Sequence, residues 1–207
     1  MSRSRNGQGA WLFATNFLKH PNMLGSVIPS SRYLVHEMLA VIDWERGRYF
    51  VEYGPGVGTV TRELLDRMHP EAKLLVIELN RDFAAYLKRK VRDPRLIVYE
   101  GSAGDIETVL EELGWEGFDY GLSGIPFSTL PAHVRDDILQ KTRNCLRDDG
   151  EFIVFQFSNK VFPHLKTAFD TVDKGFVLRN IPPAHCYRCR AEIASEPMPM
   201  ERRAAGG

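Results

Sequence analysis

Two hydrophobic periods alternate along most of the chain. Short apolar runs rich in β-branched and aromatic residues each give way to a longer segment whose apolar residues recur every three or four positions. The runs Tyr49-Phe50-Val51-Glu52-Tyr53, Leu74-Leu75-Val76-Ile77-Glu78, Leu96-Ile97-Val98-Tyr99, Phe118 to Leu122 and Glu151 to Phe157 predict five strands. The intervening segments predict helices over Thr59 to Met68, Asp82 to Lys90, Ile106 to Leu113, Ala132 to Leu146 and Val161 to Asp170. Gly175 to Asn180 and His185 to Ala191 predict a closing pair of strands, and two helical segments, residues 10–19 and 31–41, precede the core. Strands alternating with helices predict an α/β fold: a Rossmann-like, doubly wound sheet, mostly parallel with a closing antiparallel strand. The N-terminal helices would lie over a cleft at the carboxyl ends of the strands.

Composition narrows this picture without changing it. The 207 residues, 43% of them apolar, suffice for one α/β domain with short appendages. No run approaches the ~18 apolar residues of a membrane span, and no signal peptide is visible at the N-terminus. Cys145, Cys186 and Cys189 form no disulfide framework, which suits a reducing compartment. The formal net charge is zero, yet the ends are basic and the middle is acidic: residues 1–40 hold four Lys/Arg and one acid, whereas residues 41–159 hold 15 and 21. A nucleic-acid-binding domain usually carries a stronger basic excess, so contact with an anionic surface over a small area is expected, and no nucleic acid.

The candidate chemistry starts at Val51-Glu52-Tyr53-Gly54-Pro55-Gly56-Val57-Gly58, a strand running into a glycine-spaced turn. Glycine there lets a ligand approach the backbone closely, and the start of the next helix offers free N–H groups to an anionic group. Such a turn is by itself often only a tight turn, and an acid after a strand is usually solvated surface. Three further features fall in order. Glu78 ends the second strand, where a carboxylate can accept hydrogen bonds from ribose hydroxyls. Gly101-Ser102-Ala103-Gly104-Asp105 follows the third strand, its small side chains leaving room for a flat base. Ser123-Gly124-Ile125-Pro126-Phe127 closes the fourth at the mouth of the same cleft. Together these motifs resemble those of the class I S-adenosylmethionine-dependent methyltransferases over roughly residues 48–160. The resemblance implies S-adenosylmethionine as cofactor and S-adenosylhomocysteine as product. Its implied contacts are Glu52, Tyr53, Gly54, Gly56, Gly58 and Thr59 at the turn, Glu78 and Leu79 after the second strand, Ser102 and Ala103 after the third, and Ser123 after the fourth.

The fourth-strand motif bears on the methyl acceptor. Enzymes that methylate an adenine amino group carry Asn or Asp before the apolar-Pro-aromatic turn, and here Gly124 stands in that place. The ribosomal RNA adenine dimethyltransferases also carry a C-terminal RNA-binding domain, for which the chain has no room. The ends point elsewhere. Leu18-Lys19-His20-Pro21, Gly25-Ser26-Val27-Ile28-Pro29-Ser30-Ser31-Arg32 and Asn180-Ile181-Pro182-Pro183-Ala184-His185-Cys186-Tyr187-Arg188-Cys189-Arg190 resemble the bacterial phospholipid N-methyltransferases, extending the likeness to about residues 10–193. That resemblance implies conversion of phosphatidylethanolamine to phosphatidylcholine through mono- and dimethyl forms, by a cytoplasmic enzyme held peripherally at the inner face of the cytoplasmic membrane. The alternatives are an RNA or protein methyltransferase and a non-catalytic lipid-binding module. The expected division is residues 1–45 as membrane-interface and cleft-covering helices, 46–195 as the methyltransferase domain, and 196–207 as a disordered tail.

The N-terminal segment fits such a surface. On a helical projection Trp11, Phe13, Phe17 and Leu18 share an apolar face, with Lys19 opposite and Arg3 and Arg5 preceding them. That is the pattern of an interfacial helix at an anionic membrane, and equally of a helix packed over the cleft. For the lipid phosphate the candidates are Arg32, Arg188 and Arg190; strand alternation sets Tyr187 and Cys189 on one face and both C-terminal arginines on the other. Tyr33, Ser123, Gly124 and Tyr187 are the candidates for lining the reaction site, and His36 and His185 are further possible bases. Cys186 and Cys189 have no second ligand pair at suitable spacing and would face opposite sides of a strand, so no metal site is expected.

Overall fold

The computed structural model describes residues 32–178, 180 and 182–191. The expected interfacial helix with Trp11, Phe13, Phe17, Leu18 and Lys19, the expected tail, and the Arg32 side chain all lie outside the described residues.

Among the described residues seven strands form one sheet: β1 (Tyr49–Tyr53), β2 (Lys73–Glu78), β3 (Leu96–Glu100), β4 (Phe118–Ser123), β5 (Leu146–Gln156), β6 (Thr171–Val177) and β7 (Ala184–Arg190). Among the described residues six α-helices accompany them: α1 (Arg32–Leu39), α2 (Thr59–Arg67), α3 (Arg81–Lys90), α4 (Ile106–Leu113), α5 (Ala132–Cys145) and α6 (Phe162–Ala168). The spatial order is β3-β2-β1-β4-β5-β7-β6. Strands β3 to β5 are parallel, and β7 inserts antiparallel between β5 and β6. This is the doubly wound, mostly parallel sheet with a closing antiparallel strand that the hydrophobic pattern predicts. Strand order reverses between β1 and β4, which opens a crevice at their carboxyl ends.

Burial on both faces explains the near-continuous apolar runs of the central strands. One face carries Val51, Tyr53, Leu75, Phe118, Phe152 and Val154 against apolar residues of α4, α5 and α6. The other carries Phe50, Leu74, Val76, Leu122 and Ile153 against α2, Leu87 of α3 and Leu34, Val35, Met38 and Leu39 of α1. Helix α1 is therefore part of the domain core. Two buried polar contacts fix where β1 begins. The Asp119 carboxylate accepts the backbone N–H groups of Arg48 and Tyr49 at 2.7 and 2.9 Å, and the Tyr120 hydroxyl accepts that of Asp43 at 3.0 Å.

Two strands begin well before the sequence expectation. β5 begins at Leu146 rather than Glu151, because Leu146 pairs with Phe118 before the register shifts and resumes at Glu151 opposite Tyr120. Asp149, at φ 58°, sits in that irregularity, so the Asp-Asp-Gly sequence is a kink within a strand. β6 begins at Thr171 rather than Gly175 and pairs in full register with β7, from Thr171 opposite Arg190 to Val177 opposite Ala184.

Candidate functional site

The glycine turn sits at the switch point. Gly54, Gly56 and Gly58 adopt φ of 67°, 55° and 77°, a left-handed region that side-chain-bearing residues rarely enter. Beyond that shared backbone requirement, the space around them differs. A Cβ on Gly58 would lie 2.6 Å from Leu87 Cδ2, and one on Gly54 3.3 Å from Ile125 Cγ1, whereas one on Gly56 would project into open space. Gly58 caps α2 without a side-chain acceptor, so the first N–H groups of this helix remain available at the crevice.

Two acids anchor the turn. Glu78 accepts the Gly56 N–H at 3.0 Å through one oxygen and the Asn80 N–H at 2.8 Å through the other. Burial raises its pKa, and the backbone donors at Asn80, Gly56 and Leu79 act against that rise. A carboxylate has about four acceptor positions, so further hydroxyl donors can be accommodated. Glu52 lies beneath the turn and accepts the Thr61 hydroxyl at 2.6 Å. Burial raises its pKa to about 7; the Thr61 bond works against this, and the nearby Glu78 charge adds to it. Thr59 opens α2, and Leu79 follows β2 directly.

Ser102 caps the turn after β3. Its hydroxyl accepts the Gly104 N–H at 3.1 Å, while its own N–H donates to Asp105 at 2.9 Å; Ala103 is buried beside it. After β4 the Gly124 N–H donates to the Tyr53 carbonyl at 3.2 Å, and the buried Ser123 hydroxyl accepts the Ile125 N–H at 3.2 Å. The predicted motifs thus converge on one crevice. Its features fit S-adenosylmethionine: an open glycine cradle, an uncapped helix start, and a buried carboxylate with acceptor capacity left.

The other candidates differ in their surroundings. The Tyr53 ring is buried in the core, its hydroxyl paired with Thr142 at 3.1 Å, so Tyr53 reaches the crevice only through its backbone. Tyr187 is fully buried, stacked on Phe162 at 5.7 Å, and its hydroxyl has no hydrogen-bond partner. Arg188 forms a bidentate ion pair with the buried Glu151, and Arg190 pairs with Asp173 at 2.8 Å. Arg188 and Arg190, two of the three arginines expected at a lipid phosphate, therefore each have a carboxylate partner. Tyr33 is half-exposed at the start of α1, and His36 is exposed near its end. His185 packs on Phe176 at 4.8 Å; burial and the Lys174 charge lower its pKa, and its Nδ1 has no partner. Cys186 and Cys189 point to opposite faces, and burial raises the Cys186 thiol to about 12.

Two side chains at the crevice escaped the sequence reading. Gln156 is buried, and its amide donates to the carbonyls of Ile125 at 2.6 Å and Phe155 at 2.7 Å, which ties the end of β5 to the turn after β4. A polar residue within the apolar run Phe152 to Phe157 was its signal. The Phe155 ring lies where a side chain at Gly124 would project: a Cβ there would meet Phe155 Cε1 at 2.9 Å and Cζ at 3.0 Å.

Comparisons with known proteins bear on the fold and the cofactor. A sequence model of the family described as "Ribosomal RNA adenine dimethylase" matches residues 12–141, more than half of the chain. An ornithine lipid N-methyltransferase of Singulisphaera acidiphila is 32% identical over 182 residues, covering 87% of this chain and 95% of that one. The ribosomal RNA small subunit methyltransferase A of Laribacter hongkongensis is 39% identical over 71 residues, a match spanning only 26% of that protein. Among solved structures, the 1,6-didemethyltoxoflavin-N1-methyltransferase of Burkholderia thailandensis, with S-adenosylhomocysteine bound, superposes with a TM-score of 0.67. It is 14% identical and covers 93% of this chain and 92% of that one, which speaks to the fold alone. The chain belongs to the ribosomal RNA adenine dimethylase family and is an S-adenosylmethionine-dependent methyltransferase.

Proposed function

We propose that the protein methylates the amine of a membrane-lipid headgroup, taking phosphatidylethanolamine and its mono- and dimethyl forms to phosphatidylcholine at the inner face of the cytoplasmic membrane. The observation that carries this reading is at Gly124. The amide that would hold an adenine amino group is absent, and the ring of Phe155 occupies the space it would need. The relative from Singulisphaera acidiphila, matched over nearly its whole length, also acts on a lipid amine by its name.

When bound, S-adenosylmethionine supplies an electrophilic methyl on a positive sulfonium and departs as S-adenosylhomocysteine as the new N–C bond forms. The chain has three tasks around that transfer. The glycine turn and Glu78 hold the cofactor, and the Ser123-Gly124 turn, braced by Gln156, orients the nitrogen in line with the methyl. The third task is to receive the amine as a free base, because an ammonium has no lone pair with which to attack. Tyr33 remains our candidate for contact with the headgroup. To Tyr187 we assign packing, given its burial.

Ornithine lipid is the second reading. Its headgroup has an amine and a carboxylate but no phosphate, so it makes no demand on Arg188 or Arg190, both already ion-paired. Incubation with methyl-labelled cofactor and vesicles containing either lipid distinguishes the two. Label in phosphatidylethanolamine supports the first reading, and label in ornithine lipid alone supports the second. No helix among the described residues is long and apolar enough to cross a membrane, which is compatible with attachment at one face.

A further inference from the structure

Gly124 and Phe155 are linked in a way that bears on which amines the site accepts. Phe155 follows Val154, which pairs with Ser123 of β4, so it stands one position beyond the β4–β5 pairing, beside the Gly124 turn, while still paired with Cys186 of β7. It is only partly buried and lies edge-to-face against Phe157, with centroids 6.2 Å apart; Phe157 is itself exposed. A Cβ on Gly124 would stand 2.9 Å from the Phe155 ring and 3.7 Å from the carbonyl oxygen of Gly54. One point thus lies within about 4 Å of the ring, the acceptor turn and the cofactor turn. The φ of Gly124 is not in the left-handed region, so backbone strain does not explain this glycine. Room for the ring does. Gln156 donates to the carbonyls of Ile125 and Phe155 and so fixes ring and turn relative to each other.

We propose that Phe155 is a specificity-determining residue. Its ring forms the wall of the acceptor site: it draws the partly methylated ammonium in by cation–π contact and packs against its N-methyl groups once the proton is lost and the free base attacks, in place of the amide hydrogen bonds that a nucleobase amino group would require. This rests on the lipid-amine reading above. A methylated ammonium has fewer N–H donors after each transfer and a larger apolar surface, so a side-chain amide would hold it less well at each step, whereas an aromatic ring would not. Gly124 serves the same end by leaving the ring its place.

The test uses the full-length protein with vesicles containing phosphatidylethanolamine, its monomethyl or its dimethyl form, or ornithine lipid. KM, kcat and the distribution of methylated products are measured for wild type, Phe155→Leu, Phe155→Tyr, Phe155→Trp and Gly124→Ala. S-adenosylhomocysteine affinity by calorimetry and thermal melting are followed in parallel. Phe155→Leu is expected to raise KM for the dimethyl acceptor about tenfold, more than for the unmethylated one, and to leave product stalled at the mono- and dimethyl stages. The aromatic replacements should keep KM within about threefold of wild type, since the ring face is retained. Gly124→Ala should reproduce the Leu phenotype by displacing the ring, with cofactor affinity retained. If Leu, Tyr and Trp behave alike, or if KM and product distribution do not change in the Leu variant, the role assigned to Phe155 is wrong while the lipid reading stands. A wild-type protein that methylates neither lipid overturns the lipid reading and the role with it. If Phe155→Leu melts too early to assay, Gly124→Ala, which keeps the aromatic residue, decides the matter by the same two readouts.

Discussion

Glu78 joins the two halves of the cofactor site. Its oxygens accept the N–H groups of Gly56 and Asn80, so the carboxylate holds the glycine turn and the start of α3 while retaining acceptor positions, which we assign to ribose hydroxyls. Replacement by Ala is expected to weaken S-adenosylhomocysteine binding about 10- to 100-fold in calorimetry, the loss of hydrogen bonds to a charged group. Unchanged affinity would remove the ribose assignment. Glu52 has a different signature. Its pKa rises from 4.5 to about 7 through burial, so the folded state bears the full cost of ionising it above pH 7. That cost is relieved as pH falls through 7 and vanishes below 4.5, where both folded and unfolded states are protonated. Glu52→Gln should therefore melt higher than wild type at pH 8, by an increment on the order of 3 kcal/mol, and match it near pH 4.5. A melting-temperature series across pH 4.5 to 8 with parallel curves would contradict this. The glycines and Glu78 were legible in the sequence because each carries a local backbone or charge signal at fixed spacing. Phe155 was not, because its importance lies in a contact with the turn after β4 that no local pattern encodes, and Gln156 left no more signal than a polar residue in an apolar run.

At the level of elements, the interiors of nearly all strands and helices were legible, since burial on both faces of the sheet forces long apolar runs. Their ends were less so. The polar Arg147-Asp148-Asp149-Gly150 sequence reads as a turn, yet pairing of Leu146 with Phe118 makes it a kink inside β5. In β7 the alternation was readable, and it correctly separated Tyr187 and Cys189 from Arg188 and Arg190. The partners were not readable, because the acids that engage the arginines lie on β5 and β6. Glu151 is buried, so Arg188→Met leaves a carboxylate without its counter-charge. The Arg188 side chain is about a third exposed, which tempers the cost to about 1–3 kcal/mol in urea or thermal unfolding. Lipid KM should stay within about threefold in a variant that folds, as the cost of a lost stability contact falls on unfolding rather than on binding. A large KM increase without loss of stability would instead return Arg188 to the lipid phosphate.

The whole molecule combines a neutral total charge with basic ends, and a cofactor crevice set in an acidic middle. Together with the aromatic face of residues 11–18, this led us to propose that the N-terminal segment holds the protein at an anionic membrane surface. Deleting residues 1–20 is expected to reduce cosedimentation with anionic vesicles at least fivefold while S-adenosylhomocysteine binding remains measurable. Cosedimentation equal to that of the full chain would locate the membrane contact elsewhere.

The central claim, a lipid amine as methyl acceptor within a family described by its action on ribosomal RNA, is tested most directly by one competition reaction. The protein receives methyl-labelled S-adenosylmethionine together with vesicles containing phosphatidylethanolamine and ornithine lipid and with unmethylated small-subunit ribosomal RNA. Mass spectrometry of each fraction then locates the label. The account predicts methyl groups on a lipid amine and none on the RNA. Label confined to adenine in the RNA would contradict it.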